Sequence, residues 1–362
     1  MTAGDSRRDP MHTVANIMKD HPEVDPTLND VVAEHATRFS VLGFDLQFET
    51  NDLRIENAAR EIFGPDTTGR EGSPAVTVRL LLHHVNEEST WLPVQPIVRE
   101  QSGLFSVTCS RATFVAGDTE RGVAIGFVSE TVASLPEFLR TNIVMAAFLM
   151  TINFRVLGAI HTACVWKNGR SLMLRGATGA GKSTIAYVAL RSGFSLLAED
   201  AVFPRREASG EIALHGLPWT MYLLPDAVRF FPELCTAPQF ARSSGETKIG
   251  VQVNERFPGQ CRDVAPLGPS VFVARSVDGQ SRLVPLERDE FQKRLDATSI
   301  AFERRAARES GLWDAMHELP AYQLEIGPDP LDAARLLNSL IEDDRHFPGS
   351  LTSVAAGCTM PP

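Results

Sequence analysis

Short stretches in which apolar and polar residues alternate, or in which every residue is apolar, predict strands along most of the chain. They lie at residues 44–48, 75–82, 104–109, 122–128, 159–166, 171–174, 194–198, 202–204, 212–215, 248–253 and 270–274. Apolar residues that recur with helical spacing predict helices instead. These lie at residues 28–36, 53–63, 136–157, 184–190, 225–231, 288–308 and 332–341.

The distribution of these elements predicts two domains. In the first part of the chain, strands separated by turn-rich segments suggest an antiparallel sheet that carries a helix, an α+β arrangement. In the second part, strands and helices alternate, which indicates an α/β fold. We therefore expect a flexible polar N-terminus at 1–38, a smaller mixed domain at 39–157, an α/β domain at 158–343 and a loose tail at 344–362.

Composition and charge argue against several classes of function. The chain has 362 residues and 43% hydrophobic residues, enough to bury a sizeable core. Its net charge of −10 argues against a nucleic-acid binder that relies on a basic surface. The five cysteines lack metal-binding spacing. The first residues carry charges with no apolar run behind them, so a secretory signal is not expected. Asn153 and Arg155 interrupt the most apolar stretch, so a membrane-spanning helix is not expected either. The sequence thus predicts a cytoplasmic protein with no membrane and no nucleic-acid partner.

The most specific motif is Gly176-Ala-Thr-Gly-Ala-Gly-Lys182-Ser183, between a predicted strand and a predicted helix. Its spacing is that of a phosphate-binding loop, in which glycines let backbone amides point at nucleotide phosphates and the helix dipole adds positive potential. In such loops the lysine neutralises phosphate charge and the serine supplies an oxygen ligand to Mg²⁺. The predicted cofactors are therefore ATP and Mg²⁺, and the predicted cofactor-binding residues are Gly176, Ala177, Thr178, Gly179, Ala180, Gly181, Lys182, Ser183 and Thr184.

Two carboxylates, Glu199 and Asp200, end the predicted strand that follows this helix. Carboxylates beside a phosphate loop can hold the metal ion and take a proton from an attacking hydroxyl group. Upstream, His161 lies in an apolar run, where a histidine is either a hydrogen-bonded core residue or a functional group near the phosphates. The pattern of residues alone leaves both readings of His161 open.

The order of the histidine, the loop and the carboxylate pair resembles the HPr kinase/phosphorylase family, and especially its smaller bacterial relatives found beside peptide-modification genes. The resemblance covers roughly residues 159–202. It implies a phosphate-loop kinase domain of the type shared by HPr kinase and phosphoenolpyruvate carboxykinase. The implied roles are proton acceptor for Asp200, phosphate binding for Lys182, assistance for His161, and metal binding for Ser183 and Glu199.

The chain departs from the family pattern at three places. Thr178 replaces the usual loop serine, and Glu199 replaces the first of two aspartates. The family's Glu-Ile-Arg-Gly segment is not found, and its nearest counterpart, residues 211–216, has Ala213 in place of arginine. Because alanine lacks the planar fork that grips phosphate in two places, the sequence predicts forward transfer over phosphate removal.

The resemblance and the motif together predict transfer of the γ-phosphoryl group of ATP to a serine or threonine hydroxyl group. A peptide or small protein, for example the precursor of a ribosomally made peptide, is the predicted acceptor. The alternatives are a kinase of a small-molecule alcohol and a noncatalytic ATP-binding regulator. The family also suggests a homo-oligomer.

Other residues support weaker predictions. His83 and His84 are adjacent on a strand, point to opposite faces and are not expected to bind a metal together. Lys248 follows a polar, glycine-containing segment that could bring it over the active site. Two arginine pairs are candidates for phosphate contacts, with solvated surface favoured for the second: Arg205-Arg206 and Arg304-Arg305.

Overall fold

A computed structural model describes residues 32–67, 72–83, 96–152, 156–241, 246–299, 303–304, 307 and 309–343. The protein is a mixed α/β protein with several sheets. The strands are β1 (His35–Val41), β2 (Phe44–Thr50), β3 (Val76–His83), β4 (Ile97–Gln101), β5 (Leu104–Thr108), β6 (Phe114–Asp118), β7 (Val123–Ser129), β8 (Ile160–His161), β9 (Ala163–Lys167), β10 (Arg170–Arg175), β11 (Ser195–Ala198), β12 (Ala201–Arg206), β13 (Ile212–His215), β14 (Thr220–Leu223), β15 (Gln239–Ala241), β16 (Thr247–Gln252), β17 (Val264–Pro266), β18 (Ser270–Arg275), β19 (Arg282–Pro285) and β20 (Ala321–Ile326).

The α-helices are α1 (Leu53–Phe63), α2 (Glu130–Ala133), α3 (Pro136–Phe138), α4 (Ala146–Thr151), α5 (Lys182–Arg191), α6 (Val253–Arg256), α7 (Arg288–Thr298), α8 (Leu312–His317) and α9 (Pro330–Glu342). A π-helical segment, Leu139–Met145, joins α3 to α4, and 3₁₀ turns lie at Pro225–Arg229 and Pro232–Thr236. None of the helices in the described ranges is long and apolar enough to cross a bilayer.

The first seven strands form one mixed sheet, ordered β1-β2-β3-β7-β6-β5-β4. β3 pairs in parallel with both β2 and β7, and the other pairs are antiparallel. The prediction of an antiparallel sheet is therefore wrong in its centre. The physical reason is α1, which carries the chain back between β2 and β3, since a parallel pair needs a crossover.

The core of this sheet lies under α1 and the helical run from α3 to α4. Phe63 of α1 packs edge to face on Phe39 at 5.5 Å and on Phe148 at 5.2 Å between ring centroids. Full burial of each such ring stabilises the fold by about 1.5–3 kcal/mol. The predicted helix at 136–157 is wrong at its end, because α4 stops at Thr151 and the Leu157 amide donates to the Pro204 carbonyl oxygen at 2.8 Å.

The predicted helix at 28–36 is wrong where the structure describes it. His35 and Ala36 begin strand β1, which is antiparallel to β2. Every second residue of β1, Thr37, Phe39 and Val41, is buried, which is the two-residue period of a half-buried strand. Residues 28–31 lie outside the described ranges, and so do 300–302, 305–306 and 308 of the helix predicted at 288–308, which begins as α7.

A second mixed sheet of six strands, ordered β11-β9-β10-β18-β20-β19, organises the rest of the chain. β10, β18 and β20 are parallel to one another. Leu172 and Leu174 pack with α5 and α9 on one face, while Met173 packs with α7 and α8 on the other. Successive strand residues point to opposite faces, so this sheet is covered by helices on both sides. Two smaller sheets, β17-β13-β12-β8 and β14-β16-β15, accompany it.

Candidate active site

The strand directions of the six-stranded sheet bring the predicted site residues to one edge. β11 is antiparallel to β9, and β9 is antiparallel to β10, so β10 and β11 run in the same direction. Their carboxyl ends therefore lie at the same edge. The glycine loop follows β10, and Glu199-Asp200 follows β11. Residues far apart in sequence thus meet because of the pairing order of three strands.

His161 and Asp200 meet where the chain changes sheets twice. β8 runs into β9, and β11 runs into β12, so that each connection passes from one sheet to the other. Ala201 pairs with His161, and the Thr162 amide donates to the Asp200 carbonyl oxygen at 2.9 Å. As a result the His161 Nδ1 atom lies 3.3 Å from Asp200 Oδ1. The structure places His161 beside the carboxylate rather than in the core, with 34% of its side chain exposed.

The loop between β10 and α5 contains glycines at positions where a side chain would be strained or would clash. Gly179 and Gly181 have φ values of 80° and 104°, which L side chains rarely adopt. A Cβ atom on Gly176 would lie 2.8 Å from the Val273 carbonyl oxygen, so glycine is required there as well. Around Gly179, in contrast, no described atom lies within 4 Å of such a Cβ position. The loop is therefore tight at its base and open at its tip.

Lys182 lies folded over this loop. Its Nζ atom donates to the carbonyl oxygens of Gly176 at 2.9 Å and Ala177 at 3.4 Å, and the residue is only 9% exposed. Burial lowers the pKa of Lys182 because it removes water from the charged ammonium group. The carboxylates of Asp200 and Glu199 oppose this effect. An additional anion between the loop amides would stabilise the charged form further.

Two basic side chains act on Lys182 through their charges. The charges of Arg175 and Lys248 each lower its pKa, so both lie within electrostatic reach of the ammonium group. Lys248 forms an ion pair with Glu246 at 3.6 Å. A role for Lys248 over the active site stays a prediction.

The residues predicted to hold the metal are in contact. The Ser183 hydroxyl donates to Glu199 Oε1 at 2.5 Å. Hydroxyl and carboxylate oxygens are the hard ligands that Mg²⁺ prefers, and this ion usually keeps several waters and substrate phosphates as its other ligands. Within the part of the chain that the structure describes, no group of three or more His, Cys, Asp or Glu side chains could hold a metal. The donor set fits a Mg²⁺ ion that arrives with a nucleotide.

Other predicted residues lie elsewhere or have structural partners. Arg205 of β12 donates to the Leu42 carbonyl oxygen at 3.0 Å and stacks on Phe44 at 4.4 Å, so it joins the four-stranded sheet to the seven-stranded sheet. Three further residues have backbone carbonyl oxygens as partners: Arg206 Nη1 contacts that of Gly210, Arg304 Nη1 that of Asp296, and His83 Nε2 that of Ala112. His84 and Arg305 lie outside the described residues.

The sequence reasoning missed a buried ion pair beside the loop. Arg175 is the last residue of β10, and its side chain is fully buried against Glu303. The available signal was a charged residue that directly follows three apolar strand residues and directly precedes Gly176. Its partner was not readable, because Glu303 lies 128 residues further along the chain.

Neither the comparison with protein-family models nor that with curated proteins gives a match. Among solved structures, the chain is similar to the HPr(Ser) kinase/phosphatase from Coxiella burnetii, with 11% identity and a TM-score of 0.27. The similarity covers 50% of this chain and 88% of that one. A TM-score of this size does not establish a shared fold. Membership of that family therefore stays a prediction.

Proposed function

We propose that this protein is an ATP- and Mg²⁺-dependent kinase that phosphorylates a serine or threonine hydroxyl group of a peptide or small protein. The observation that carries the proposal is the meeting of four groups at one sheet edge. They are an open glycine loop, the lysine folded over it, a hydroxyl–carboxylate pair suited to Mg²⁺, and a carboxylate beside a histidine. Phosphoryl transfer needs little more than positioning and charge stabilisation, and these groups supply both.

Each residue has a distinct part in the proposed reaction. When bound, Mg²⁺ and ATP would supply the transferable phosphoryl group and neutralise part of its charge. Ser183 and Glu199 would hold the ion, while the amides at the start of α5 and the Lys182 ammonium group bind phosphate oxygens. Asp200 would accept the proton of the acceptor hydroxyl group, and His161 at 3.3 Å would fix the orientation of that carboxylate.

The exposure of Asp200 favours a peptide or protein acceptor over a small alcohol. Its side chain is 72% exposed, and the loop residues Ala177, Thr178 and Gly179 are exposed as well. A small-molecule kinase usually encloses its acceptor, since buried groups provide most of the affinity for a small ligand. An acceptor group at the end of an extended chain can reach an open carboxylate without being enclosed.

The test is incubation of the protein with ATP, Mg²⁺ and a set of serine- and threonine-containing peptides, followed by mass spectrometry. The expected result is a phosphate-sized mass increase on a peptide, absent when its serine is replaced by alanine. Asp200→Asn is the matched enzyme control, and it should bind ATP without producing the mass increase. ATP binding without transfer to any peptide, alcohol or water would contradict the proposal and favour the noncatalytic regulator.

A further inference from the structure

A charged pair is buried directly behind the phosphate loop. The side chains of Arg175 and Glu303 are 0% and 1% exposed, and Arg175 Nη2 donates to Glu303 Oε1 at 2.7 Å. The same nitrogen donates to the Ser299 hydroxyl at 2.9 Å, and the Ser299 hydroxyl donates to Glu303 Oε1 at 3.1 Å. The pair therefore joins the end of β10 to the segment that follows α7.

Stability alone is a poor reason for a chain to bury this pair. Removing two charges from water is costly, and an apolar pair of similar volume is often as stable or more stable. The pair is also not fully satisfied, because Arg175 Nη1 is buried without a hydrogen-bond partner among the described residues. A buried, incompletely bonded charge in a native protein calls for an explanation, and proximity to a site is a common one.

The second oxygen of Glu303 reaches the other half of the site. Glu303 Oε2 accepts a hydrogen bond from the His161 amide at 3.4 Å. His161 belongs to β8, a strand of only two residues, so few backbone hydrogen bonds fix its position. Its ring is the group that contacts Asp200. One carboxylate thus contacts both the strand that leads into the glycine loop and the strand that carries His161.

We propose that Glu303 is a positioning residue, whose carboxylate holds the phosphate-loop strand, through Arg175, and the His161–Asp200 pair, through the His161 amide, in a fixed relative position. Oε1 of Glu303 contacts Arg175 on one strand, and Oε2 contacts the His161 amide on the other. The distance between bound phosphate and the proton acceptor then depends on Glu303, although its side chain is buried away from any acceptor. A misplacement of about 1 Å between reacting groups is enough to cost about 100-fold in rate. The catalytic part of this inference rests on the proposed kinase function.

The test compares Glu303→Gln with Glu56→Gln in the full chain. Glu56 is a matched control because it is also a buried carboxylate, which accepts hydrogen bonds from Thr37 at 2.9 Å and Arg60 at 2.8 Å, but it lies in α1, which packs on the first sheet. Glutamine keeps the size of the side chain and removes its charge. Hydrogen exchange of peptides that contain residues 160–163 should accelerate by about tenfold or more in Glu303→Gln and stay at the wild-type rate in Glu56→Gln.

Kinetics supply a second readout. In Glu303→Gln, we expect transfer to fall on the order of 10- to 100-fold while ATP affinity stays within about threefold. Failure of the wild-type protein to transfer phosphate would count against the kinase proposal only, since hydrogen exchange at 160–163 needs no acceptor. Wild-type exchange at these residues in Glu303→Gln would overturn the positioning role itself.

A double variant separates positioning from stability. Arg175→Met with Glu303→Leu replaces the pair by apolar groups of similar volume and should fold with a thermal midpoint near that of the wild type. We still expect fast exchange at 160–163, because leucine cannot accept the His161 amide. A double variant with wild-type exchange would show that the pair only fills space and would overturn the proposal.

Discussion

Helices α1 and α5 each follow a strand of a mixed sheet, but their first turns are opposite in chemistry. The α1 start is capped by its own side chain, since Asp52 accepts from the Arg54 amide at 2.8 Å, and Glu56 adds a second carboxylate. The α5 start has Gly181 in a left-handed conformation, no side-chain cap among the described residues and no acidic residue in its first turn. Its first residue is a lysine.

The comparison distinguishes a helix start that its own side chains stabilise from one that suits an external anion. The amino end of a helix carries partial positive charge and unpaired amides, so a carboxylate there stabilises it and a lysine does not. Burial opposes ionisation of Asp52, but the hydrogen bonds and charge of Arg54 outweigh it and hold its pKa below the ordinary value. At α5 the matching anion is missing from the first turn, which is the arrangement expected of a phosphate-binding site.

The largest effect is expected from a substitution at the start of α5. Lys182→Ala removes the charge that faces the bound phosphates, and we expect transfer to fall by about 1,000-fold or more, with weaker ATP binding. The free energy of unfolding should not decrease much, because the loss of the Lys182 hydrogen bonds is offset by the loss of a desolvated ammonium group. Activity assays and chemical denaturation measure the two quantities. Unchanged ATP affinity and turnover would exclude Lys182 from the site.

A second effect separates chemistry from binding at the same edge. Asp200→Asn keeps the shape of the side chain and removes the proton acceptor, so transfer should fall on the order of 100- to 10,000-fold. ATP affinity, measured by calorimetry, should change by less than about threefold. The variant keeps the shape of the side chain, and the removal of one negative charge near the phosphates does not weaken their binding. A collapse of ATP affinity together with rate would reassign Asp200 as a metal ligand and make Glu199 the candidate base.

The smallest expected effect lies on the α1 side. Asp52→Ala removes the cap and should lower the free energy of unfolding by about 1 kcal/mol, as loss of an N-cap usually does. ATP affinity should stay at the wild-type value, because Asp52 caps a helix whose buried residues belong to the core of the first sheet. Denaturant titration and calorimetry on the same samples check both statements. Loss of ATP affinity in this variant would mean that the two helix starts are not independent.

The elements that flank the candidate loop were predictable because phosphate-loop motifs have a local signature. The glycines, Lys182 and Ser183 lie within eight consecutive residues, and the apolar runs on either side become β10 and α5 as expected. The family resemblance implied an assisting role for His161, but the contact of His161 with Asp200 was not predicted. That contact depends on the order of β9, β10 and β11 and on two changes of sheet, which no local pattern encodes.

The errors of prediction also arise from contacts between distant parts of the chain, which no local pattern encodes. The parallel pairing of β3 depends on the path of α1 and of the β4 to β6 meander, and strand direction is invisible in a two-residue period. Arg205 has the side chain of a phosphate ligand but packs between the four-stranded and the seven-stranded sheets. Glu303 was overlooked because a buried carboxylate in a charged helical stretch is indistinguishable from solvated residues around it until its partner is known.

The central claim is that the open start of α5 binds the phosphate groups of a nucleotide, and a calorimetric series tests it most directly. ATP, ADP and adenosine would be titrated into the wild-type protein in the presence of Mg²⁺, and ATP into Lys182→Ala. We predict that ATP binds at least about 100-fold more tightly than adenosine, a difference of about 2.8 kcal/mol, and that ADP lies between them. Equal affinities for ATP and adenosine, or wild-type ATP affinity in Lys182→Ala, would contradict the account.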